Sequence, residues 1–329
     1  MQSVPKHSPN TRLSLFMDTQ ILHKYLDAFG KLHRNMGLAP HKPILLLSIL
    51  DEIGRGRITD NEIVLTVELV SAFREYWQVL PLSPGNWLER VYMPYRYLYQ
   101  DGFWHFVKNG EALTGKEVGE PHSIPDARSR VNYACLETDL WQLLQDSHAR
   151  EALHAHLLQV YFGITPLQVQ PIVAADPVAA QVDKLVADAQ SKPKPKAAKT
   201  VKEGDVEYLR SALFPKVIYA IYNNTCAVCG LGVRIGDSRV LNASHIRDFA
   251  LFGDNHPSNG LALCHNHHWA FDRGVFSITD DYKLLVSPKM TGTPDFVSTG
   301  SSIYLPASSK CHPDPAALAW HRKRHDFQQ

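Results

Sequence analysis

The sequence predicts an α+β protein of two domains, a mostly helical N-terminal domain and a second domain of short strands and helices. Its length of 329 residues suits two average domains better than one. Composition breaks near residues 166–204: apolar residues recur at helical spacing before this break, and the order after it is strand, loop, strand, helix. We therefore divide the chain into an N-terminal tail (1–17), a first domain (18–165), a linker (166–204) and a second domain (205–329).

The first domain is predicted to hold several helices and one aromatic segment. The predicted helices are Leu22–Leu32, Lys42–Ile53, Thr66–Trp77 and one or two more within Leu136–Tyr161. Pro43 suits the first turn of the second helix, because a first-turn residue has no intrahelical N–H bond to lose. The segment from Tyr92 to Val107 is dense in aromatic residues, which predicts short strands around an Asp101-Gly102 turn.

The linker is predicted from its composition. Residues Pro166 to Gln190 are rich in Ala, Val, Gln and Pro, and the stretch Ser191–Lys199 that follows contains alternating Lys and Pro from Lys192 to Lys196. Alternating proline blocks a helix and favours an extended, semi-rigid chain. We expect a solvated Lys/Pro spacer between the two domains.

The second domain is predicted to begin with a helix, Val206–Tyr222, which leads into a cysteine pair. Strand-like runs follow at Val240–Ile246 and in the segment ending at Leu263, and a helix begins near His265. Two more strands are expected, at Val275–Ile278 and Lys283–Val286.

Composition limits the classes of function without choosing one. Hydrophobic residues make up 44% of the chain and charged residues 20%, as in soluble globular proteins. No apolar run reaches the roughly 18 residues that cross a bilayer, and Met1 to Asn10 holds no signal-peptide pattern, so we expect a cytoplasmic protein with no membrane partner. The net charge of +1 neither favours nor excludes a nucleic-acid partner.

Two ligand pairs in the second domain predict a structural zinc site. A Cys-x-x-Cys pair and a Cys-x-x-His pair are separated by 34 residues, and Gly230 directly after the first pair permits a tight turn. Four protein ligands suit tetrahedral zinc and leave no open position for water. The predicted ligands are Cys226, Cys229, Cys264 and His267. The alternative is a set of unliganded thiols, or a redox pair that would not need the histidine.

The remaining candidates near the zinc pairs are weaker. His265 is adjacent to Cys264, so chelation by both would pinch the site. Cys135, in a helical pattern, and Cys311, in the C-terminal tail, are interpreted as bystanders.

Four residues around the zinc pairs suit hydrolysis of a phosphodiester. His268 and Asp272 are four apart on the predicted helix, so both project from one face and could share a divalent cation. His245 ends an apolar strand and could face the same cleft as a general base. The amide of Asn259 could hold an imidazole or a loop, or act as an oxygen ligand. Each residue alone is more often structural, and their joint arrangement indicates the chemistry.

These residues, with the interleaved zinc pairs, resemble the HNH nuclease family and its ββα-metal fold. The string from His267 to Ile278, HHWAFDRGVFSI, is similar to the McrA-like branch of that family. The resemblance covers about Val206 to Pro288. It implies that His245 is the catalytic base, that Asn259 organises the loop or contacts the metal, and that the catalytic His268 carries the divalent ion with Asp272. That ion would be Mg²⁺, Mn²⁺ or Co²⁺.

The chain departs from the family pattern at two positions. Ser244 precedes the predicted base where the family often has Asp or His as a metal ligand. His267 stands where the last zinc ligand is commonly Cys, a replacement that zinc accepts.

Two strings in the first domain resemble the sulfur-binding domain of phosphorothioate-dependent type IV restriction endonucleases. They are LAPHKPILLL from Leu38 and VYMPYRYLYQDGFW from Val91, within a coverage of about 18–165. The resemblance implies an apolar pocket for the phosphorothioate sulfur, with basic side chains on the flanking DNA backbone. Met93 replaces the usual Tyr of the pattern. The implied DNA-binding residues are His41, Lys42, Met93, Pro94, Tyr97, Arg128, Arg130 and Arg34.

The resulting hypothesis is a modification-dependent endonuclease acting on double-stranded DNA. A homodimer, two bound molecules or sequential nicking would let a single HNH site cut both strands. The alternatives are recognition of another base modification or of unmodified DNA, and a non-cutting, zinc-stabilised DNA-binding module. In the first domain, His41 could instead cap the following helix, and the aromatic residues could be ordinary core. The linker lysines could also contact DNA phosphates.

Overall fold

The computed structural model describes residues 9–169, 176–191, 204–235, 238–291 and 296–327. The chain divides into two compact units. The first unit comprises Met1–Val178 and Glu203–Leu209, and the second comprises Ala179–Lys202 and Arg210–Gln329. In the described parts of the chain, no helix is both long enough and apolar enough to span a bilayer.

The first unit is built mainly from helices. Its α-helices are, in chain order, α1 (Pro9–Gly30), α2 (His41–Gly54), α3 (Val67–Val79), α4 (Tyr92–Tyr97), α5 (Gly115–Val118), α6 (Ile124–Arg130), α7 (Thr138–Leu143), α8 (Ser147–Phe162) and α9 (Pro166–Val169). Helix α2 lies at the centre and packs against α3, α4 and α8. It is buried along nearly its whole length because its apolar residues face all directions.

Local sequence explains where these helices begin and end. The Thr66 hydroxyl accepts a hydrogen bond from the Leu69 N–H and so caps α3. Asp146 caps α8 in the same way through the Ala149 N–H. Gly163 ends α8 in the left-handed conformation, with φ of 65°. The predicted helices of the first domain are confirmed, with α7 and α8 accounting for the last predicted stretch.

A three-stranded antiparallel sheet completes the first unit. Its strands are β1 (Trp104–Lys108), β2 (Glu111–Leu113) and β3 (Tyr133–Leu136), in the order β2-β1-β3. The turn before β1 is confirmed, because Gly102 adopts φ of 85°. Cys135 lies on β3, so the helical pattern around it was wrong.

The prediction of a strand at the start of the aromatic segment was also wrong, because Tyr92–Tyr97 is helix α4. Tyr92 and Tyr95 lie on its buried side at helical spacing, whereas a strand would have separated them onto opposite faces. Pro94 occupies the first turn, where it has no N–H bond to lose.

The segment predicted as a linker is partly helical. Besides α9, it contains α10 (Pro177–Ser191), which buries Val178, Val182 and Ala189. The spacing of these apolar residues gives the helix one packed stripe, which the alanine- and valine-rich composition did not reveal. The Lys/Pro run that follows lies outside the described residues.

The second unit combines short strands with short helices. Its helices after α10 are α11 (Gly204–Ile221), α12 (Phe249–Phe252), α13 (His265–Asp272) and α14 (Pro315–Arg324). Its strands form three antiparallel pairs: β4 (Arg234–Ile235) with β5 (Ser238–Arg239), β6 (Leu241–His245) with β7 (Gly260–Cys264), and β8 (Phe276–Ile278) with β9 (Leu284–Val286). Helix α13 packs on the β6–β7 hairpin, so the predicted order of strand, loop, strand and helix is confirmed. Helix α14 was not predicted.

Candidate active site and metal cluster

The four predicted zinc ligands meet in one cluster. One ligand atom from each of Cys226, Cys229, Cys264 and His267 lies within 4.8 Å of every other. Cys226 and Cys229 come from the turn after α11, and the other two come from the end of β7 and the first turn of α13. His265 is exposed on the outside of that turn, as expected for a residue that does not chelate.

Backbone hydrogen bonds hold the first cysteine pair against the hairpin. The Gly230 N–H donates to the Cys226 carbonyl at 2.9 Å, and Gly230 has φ of 71°, which glycine adopts without strain. The Ala227 N–H donates to the Ala262 carbonyl of β7 at 2.7 Å. The turn therefore delivers its thiols to the end of β7, where Cys264 lies.

His267 presents the correct nitrogen to this cluster. Its Nε2–H donates to the Phe296 carbonyl at 3.2 Å, which leaves the lone pair on Nδ1. Nδ1 lies 3.1 Å from the Cys264 Sγ and 3.6 Å from the Cys226 Sγ. The Phe296 ring stacks on the imidazole with centroids 4.7 Å apart. Three sulfur atoms and one oriented imidazole form a donor set that fits tetrahedral zinc.

His245 lies at the end of β6 with one ring face covered. The Phe214 ring of α11 stacks on the imidazole, with centroids 3.9 Å apart and planes 4° from parallel. Gly260, the cross-strand partner of His245, makes this stacking possible. A Cβ at Gly260 would lie 2.8 Å from the Phe214 ring and 2.3 Å from Ile218.

Hydrogen bonding and burial set the protonation state of His245. Its Nε2–H donates to the Asn255 Oδ1 at 3.1 Å, so Nδ1 holds the lone pair. Desolvation lowers the pKa of His245 below its ordinary value of 6.5, against the hydrogen bond to Asn255 and the charges of Asp254 and Asp248, which raise it. His245 is therefore neutral at pH 7 and able to accept a proton at Nδ1.

Asn259 fixes the loop between β6 and β7. Its side chain is 0% exposed. The Oδ1 accepts from the Arg247 N–H at 2.9 Å, and the Nδ2 donates to the carbonyls of Arg247 and Asp254 at 3.2 and 3.0 Å. These contacts favour the loop-organising role of Asn259 over the predicted metal contact.

His268 and Asp272 form a second group on α13. The His268 Nε2 and the Asp272 Oδ2 are 3.4 Å apart, and both side chains are partly exposed. This separation is close to the roughly 3 Å expected between neighbouring ligands of an octahedral Mg²⁺. Asn242 of β6 contacts the other imidazole nitrogen, with 3.2 Å between its Nδ2 and the His268 Nδ1. The donor set of an imidazole and a carboxylate fits a divalent cation.

The candidate residues thus lie in two groups along β6. His245 faces α11 and the loop, whereas the His268–Asp272 pair lies against Asn242, three residues earlier in the strand. In the part of the chain that the structure describes, no hydrogen bond or ring contact joins His245 to His268. Ser244 is buried, and its hydroxyl lies 3.5 Å from the His245 carbonyl, so it does not replace the acidic ligand of the family pattern.

Several predicted DNA-binding residues of the first unit have structural partners. The Lys42 ammonium forms a buried ion pair with Asp101 at 2.6 Å, and desolvation lowers its pKa. Lys42 is therefore not a surface cation, which argues against its predicted backbone contact. His41 does not cap α2; its Nε2–H donates to the Leu88 carbonyl at 2.8 Å, beside the Trp77 ring.

The predicted arginines differ in how they are held. Arg130 pairs with Asp126 at 2.8 Å and donates to the Val118 carbonyl. Arg128 is exposed and donates to the Tyr208 hydroxyl at 3.0 Å. The Arg34 guanidinium lies 4.4 Å from the Tyr161 ring centroid.

The residues predicted to form the apolar pocket lie on helix α4. Met93 and Tyr97 are one helical turn apart and partly exposed, while Pro94 is buried. The Tyr97 hydroxyl donates to Glu120 at 2.6 Å, which holds its ring in place.

Sequence reasoning missed the residues that support the candidate groups. His268 is hydrogen-bonded to Asn242. His245 is hydrogen-bonded to Asn255 and stacks on Phe214. The strand position of Asn242 was visible, but its partner depends on how α13 lies on β6. Phe214 is distant in sequence, so only the tertiary structure brings it to His245.

Comparison with known proteins places a family match on this part of the chain. Residues 226–279 match the family model described as HNH endonuclease. The match begins at the first cysteine of the cluster and ends just after β8, so it includes both groups of candidate residues. The second unit therefore contains an HNH endonuclease domain.

Among solved structures, the chain is similar to a modification-dependent TagI restriction endonuclease. The two are 26% identical, the match covers 35% of this chain and 38% of that chain, and the TM-score is 0.28. The match thus spans well under half the length of that protein. No curated protein matches the chain.

Proposed function

We propose that this protein is a metal-dependent DNA endonuclease that cuts modified DNA. The observation that carries the proposal is the combination, within one HNH endonuclease segment, of a neutral His245 and a cation-binding pair, His268 and Asp272. A zinc-stabilised scaffold alone would need none of these three residues.

His245 is the general base of the proposed reaction. Its Nδ1 takes a proton from the water that attacks the phosphorus, and the covered ring face keeps the imidazole neutral before that step. The hydrogen bond from Nε2–H to Asn255 fixes the tautomer. The hydrogen bonds of Asn259 hold the loop on which Asn255 lies, so Asn259 acts on the reaction through position.

His268 and Asp272 hold the catalytic divalent ion in this proposal. A bound Mg²⁺, Mn²⁺ or Co²⁺ supplies charge neutralisation at the phosphate and the leaving oxygen. The proposal requires the scissile phosphate to contact both His245 and this cation. The zinc ligands, at the other end of β7, have a structural role.

The first unit is the proposed reader of the modification, with phosphorothioate as the favoured one. A sulfur that replaces a phosphate oxygen is larger, more polarizable and less strongly hydrated, so an apolar surface favours it over oxygen. The partly exposed Met93 and Tyr97 on one face of α4 support such a surface. Exposed Arg128 and half-buried Arg34 are the better candidates for flanking phosphates, and Lys42 is the weakest. This would make the protein a type IV restriction endonuclease.

Cleavage of matched duplexes tests the proposal. Phosphorothioate-modified, methylated and plain DNA of one sequence are incubated with the full chain and Mg²⁺, Mn²⁺ or Co²⁺. We expect cutting of the phosphorothioate duplex alone. Cutting of the methylated duplex would support another modification, and equal cutting of all three would refute the reader while leaving the nuclease intact.

The variant His245→Ala tests the catalytic assignment. We expect loss of cleavage by at least about 100-fold, the lower range for a general base, with DNA binding and zinc content retained. Cleavage by this variant at the wild-type rate would refute the role of His245. Tight DNA binding by the wild type with no cleavage under any of the three metals would favour a non-cutting DNA-binding module.

A further inference from the structure

Helix α14 and the loop after His245 form a strip in which two aromatic rings, Phe252 and Trp320, lie between two cations, Arg247 and Arg324. The Arg247 guanidinium lies 5.4 Å from the Phe252 ring centroid, and the Phe252 ring meets the Trp320 ring edge-on at 5.5 Å. The Arg324 guanidinium lies 5.0 Å from the Trp320 ring. The strip therefore begins two residues after the proposed base and ends on α14, outside the segment that matches the HNH family.

The two ends of the strip are held firmly by the fold. Both the N–H and the carbonyl of Arg247 are hydrogen-bonded to the side chain of Asn259. On α14, the imidazole of His321 bonds to the Phe271 carbonyl at 3.0 Å and to the Ser277 hydroxyl at 2.8 Å. Helix α14 is thus fastened to α13 and β8, and the exposed residues of its last turn have a fixed position beside α12.

The cations of the strip differ in exposure. Arg247 is partly exposed, although its Nε is buried and makes no hydrogen bond within the described chain. Arg324 is 47% exposed on its side chain and has one ion pair, with Asp248 at 3.4 Å. Lys323 beside it is exposed. Asp248 contributes a carboxylate to the strip, where it pairs with Arg324.

We propose that this strip holds the DNA strand that is cut, on one side of the scissile phosphate; the inference rests on the proposed nuclease function. Arg247 and Arg324 take backbone phosphates, since guanidinium groups bind phosphate oxygens in pairs. Phe252 and Trp320 separate the two cations and give sugars and bases an apolar surface, the combination typical of nucleic-acid grooves. Asp248 competes with phosphate for Arg324 in the free protein.

Binding measurements on the full-length, cleavage-inactive His245→Ala protein test this strip. The probe is a plain duplex, with Kd determined over a series of salt concentrations. We expect Arg324→Gln and Arg247→Gln each to weaken binding about three- to tenfold and to reduce the slope of log Kd against log salt by about one phosphate contact. Lys283→Gln, an exposed cation on the β8–β9 hairpin, is the matched control and should change neither quantity.

Asp248→Asn gives a test in the opposite direction. Asparagine still caps α12 at the Ala250 N–H, which Asp248 caps now, but it releases Arg324. We expect this variant to bind DNA about two- to threefold more tightly. This result cannot arise from damage to the fold, so it supports the strip even if Arg247→Gln proves unstable.

Unchanged Kd and salt slope in both Arg324→Gln and Asp248→Asn, with the parent still binding DNA, would overturn the strip alone. Failure of the parent to bind any duplex would instead refute the proposed function and the strip with it.

Discussion

The two units of this protein differ in the lengths of their helices and strands and in what stabilises each of them internally. The first unit has long helices, including α1 with 22 residues and α8 with 16, and α8 packs against α2, which is buried along nearly its whole length. In the second unit α11 has 18 residues, but the candidate site residues lie on short elements: β6 and β7 have five residues each and α13 has eight. Short elements bury little apolar surface each and are marginal alone.

The two units also differ in how they accommodate their buried polar groups. The first unit pairs them with each other, as in the ion pair of Lys42 with Asp101, whose side chains are 7% and 3% exposed. The second unit gathers three thiols and an imidazole at one point, where a metal ion can bind them together. We therefore expect stability in the first unit to depend on packing, and in the second on zinc bound at this cluster in addition to its apolar core.

Removing a cluster ligand should have the largest effect and should separate the units. We expect Cys226→Ser to lose zinc and unfold the second unit, since a structural zinc contributes on the order of 10 kcal/mol to folding. The first unit should remain folded. Metal analysis and hydrogen exchange, read for each unit, test this, with Cys135→Ser of β3 as control. If the amides of the second unit remained protected from hydrogen exchange in zinc-free Cys226→Ser, its folding would not depend on zinc.

Breaking the buried ion pair should give the converse result. We expect Lys42→Met to destabilise the first unit by about 3 kcal/mol, because it leaves the Asp101 carboxylate buried without its cation. Zinc content and exchange in the second unit should not change. Lys31→Met removes an exposed ion pair with Asp27 and should cost no more than about 0.5 kcal/mol. If urea unfolding gave the same loss of unfolding free energy for both variants, the Lys42–Asp101 pair would contribute no more to stability than an exposed ion pair.

A smaller effect is expected from a change at Asn242, which should weaken binding of the divalent ion and leave the zinc bound. Asn242→Ala removes the contact that orients His268 and should weaken divalent-ion binding about tenfold, while zinc stays bound. Titration with Mn²⁺, followed by calorimetry, measures the affinity without catalysis. Ser244→Ala is the control in the same strand. An equal loss of affinity in both variants would show that the strand, and not the contact, is responsible.

The smallest effect concerns the pH dependence of cleavage. Desolvation lowers the pKa of His245 below 6.5, so the base form persists to lower pH. We expect the single-turnover rate to be level near pH 7 and to fall on the acid side, with a midpoint below 6.5. Phe214→Ala uncovers the ring and should move this midpoint upward. A wild-type midpoint above 6.5 would contradict the effect of burial.

Much of the second unit was predictable because its chemistry is local in sequence. The two ligand pairs have tight spacing, and the four-residue interval from His268 to Asp272 fixes a shared face on any helix. In the first unit, the aromatic segment from Tyr92 was predicted as strand because aromatic residues favour strands. The three-residue spacing of Tyr92 and Tyr95, which is typical of a helix, was the signal against it. Lys42 was predicted to contact phosphate because of its positive charge. Its burial depends on an ion pair with Asp101, which is distant in sequence.

The amino-acid sequence alone was sufficient to predict the candidate zinc ligands, the order of elements around them and the residues suited to phosphodiester hydrolysis, since each depends on residue type and short spacing. Which nitrogen His267 and His245 present depends instead on tertiary contacts, because chain folding brings Phe296 and Asn255 to them. The tertiary structure also decided that α14 lies beside the proposed base. Contacts between residues far apart in sequence are fixed by packing, which residue type and spacing do not encode locally.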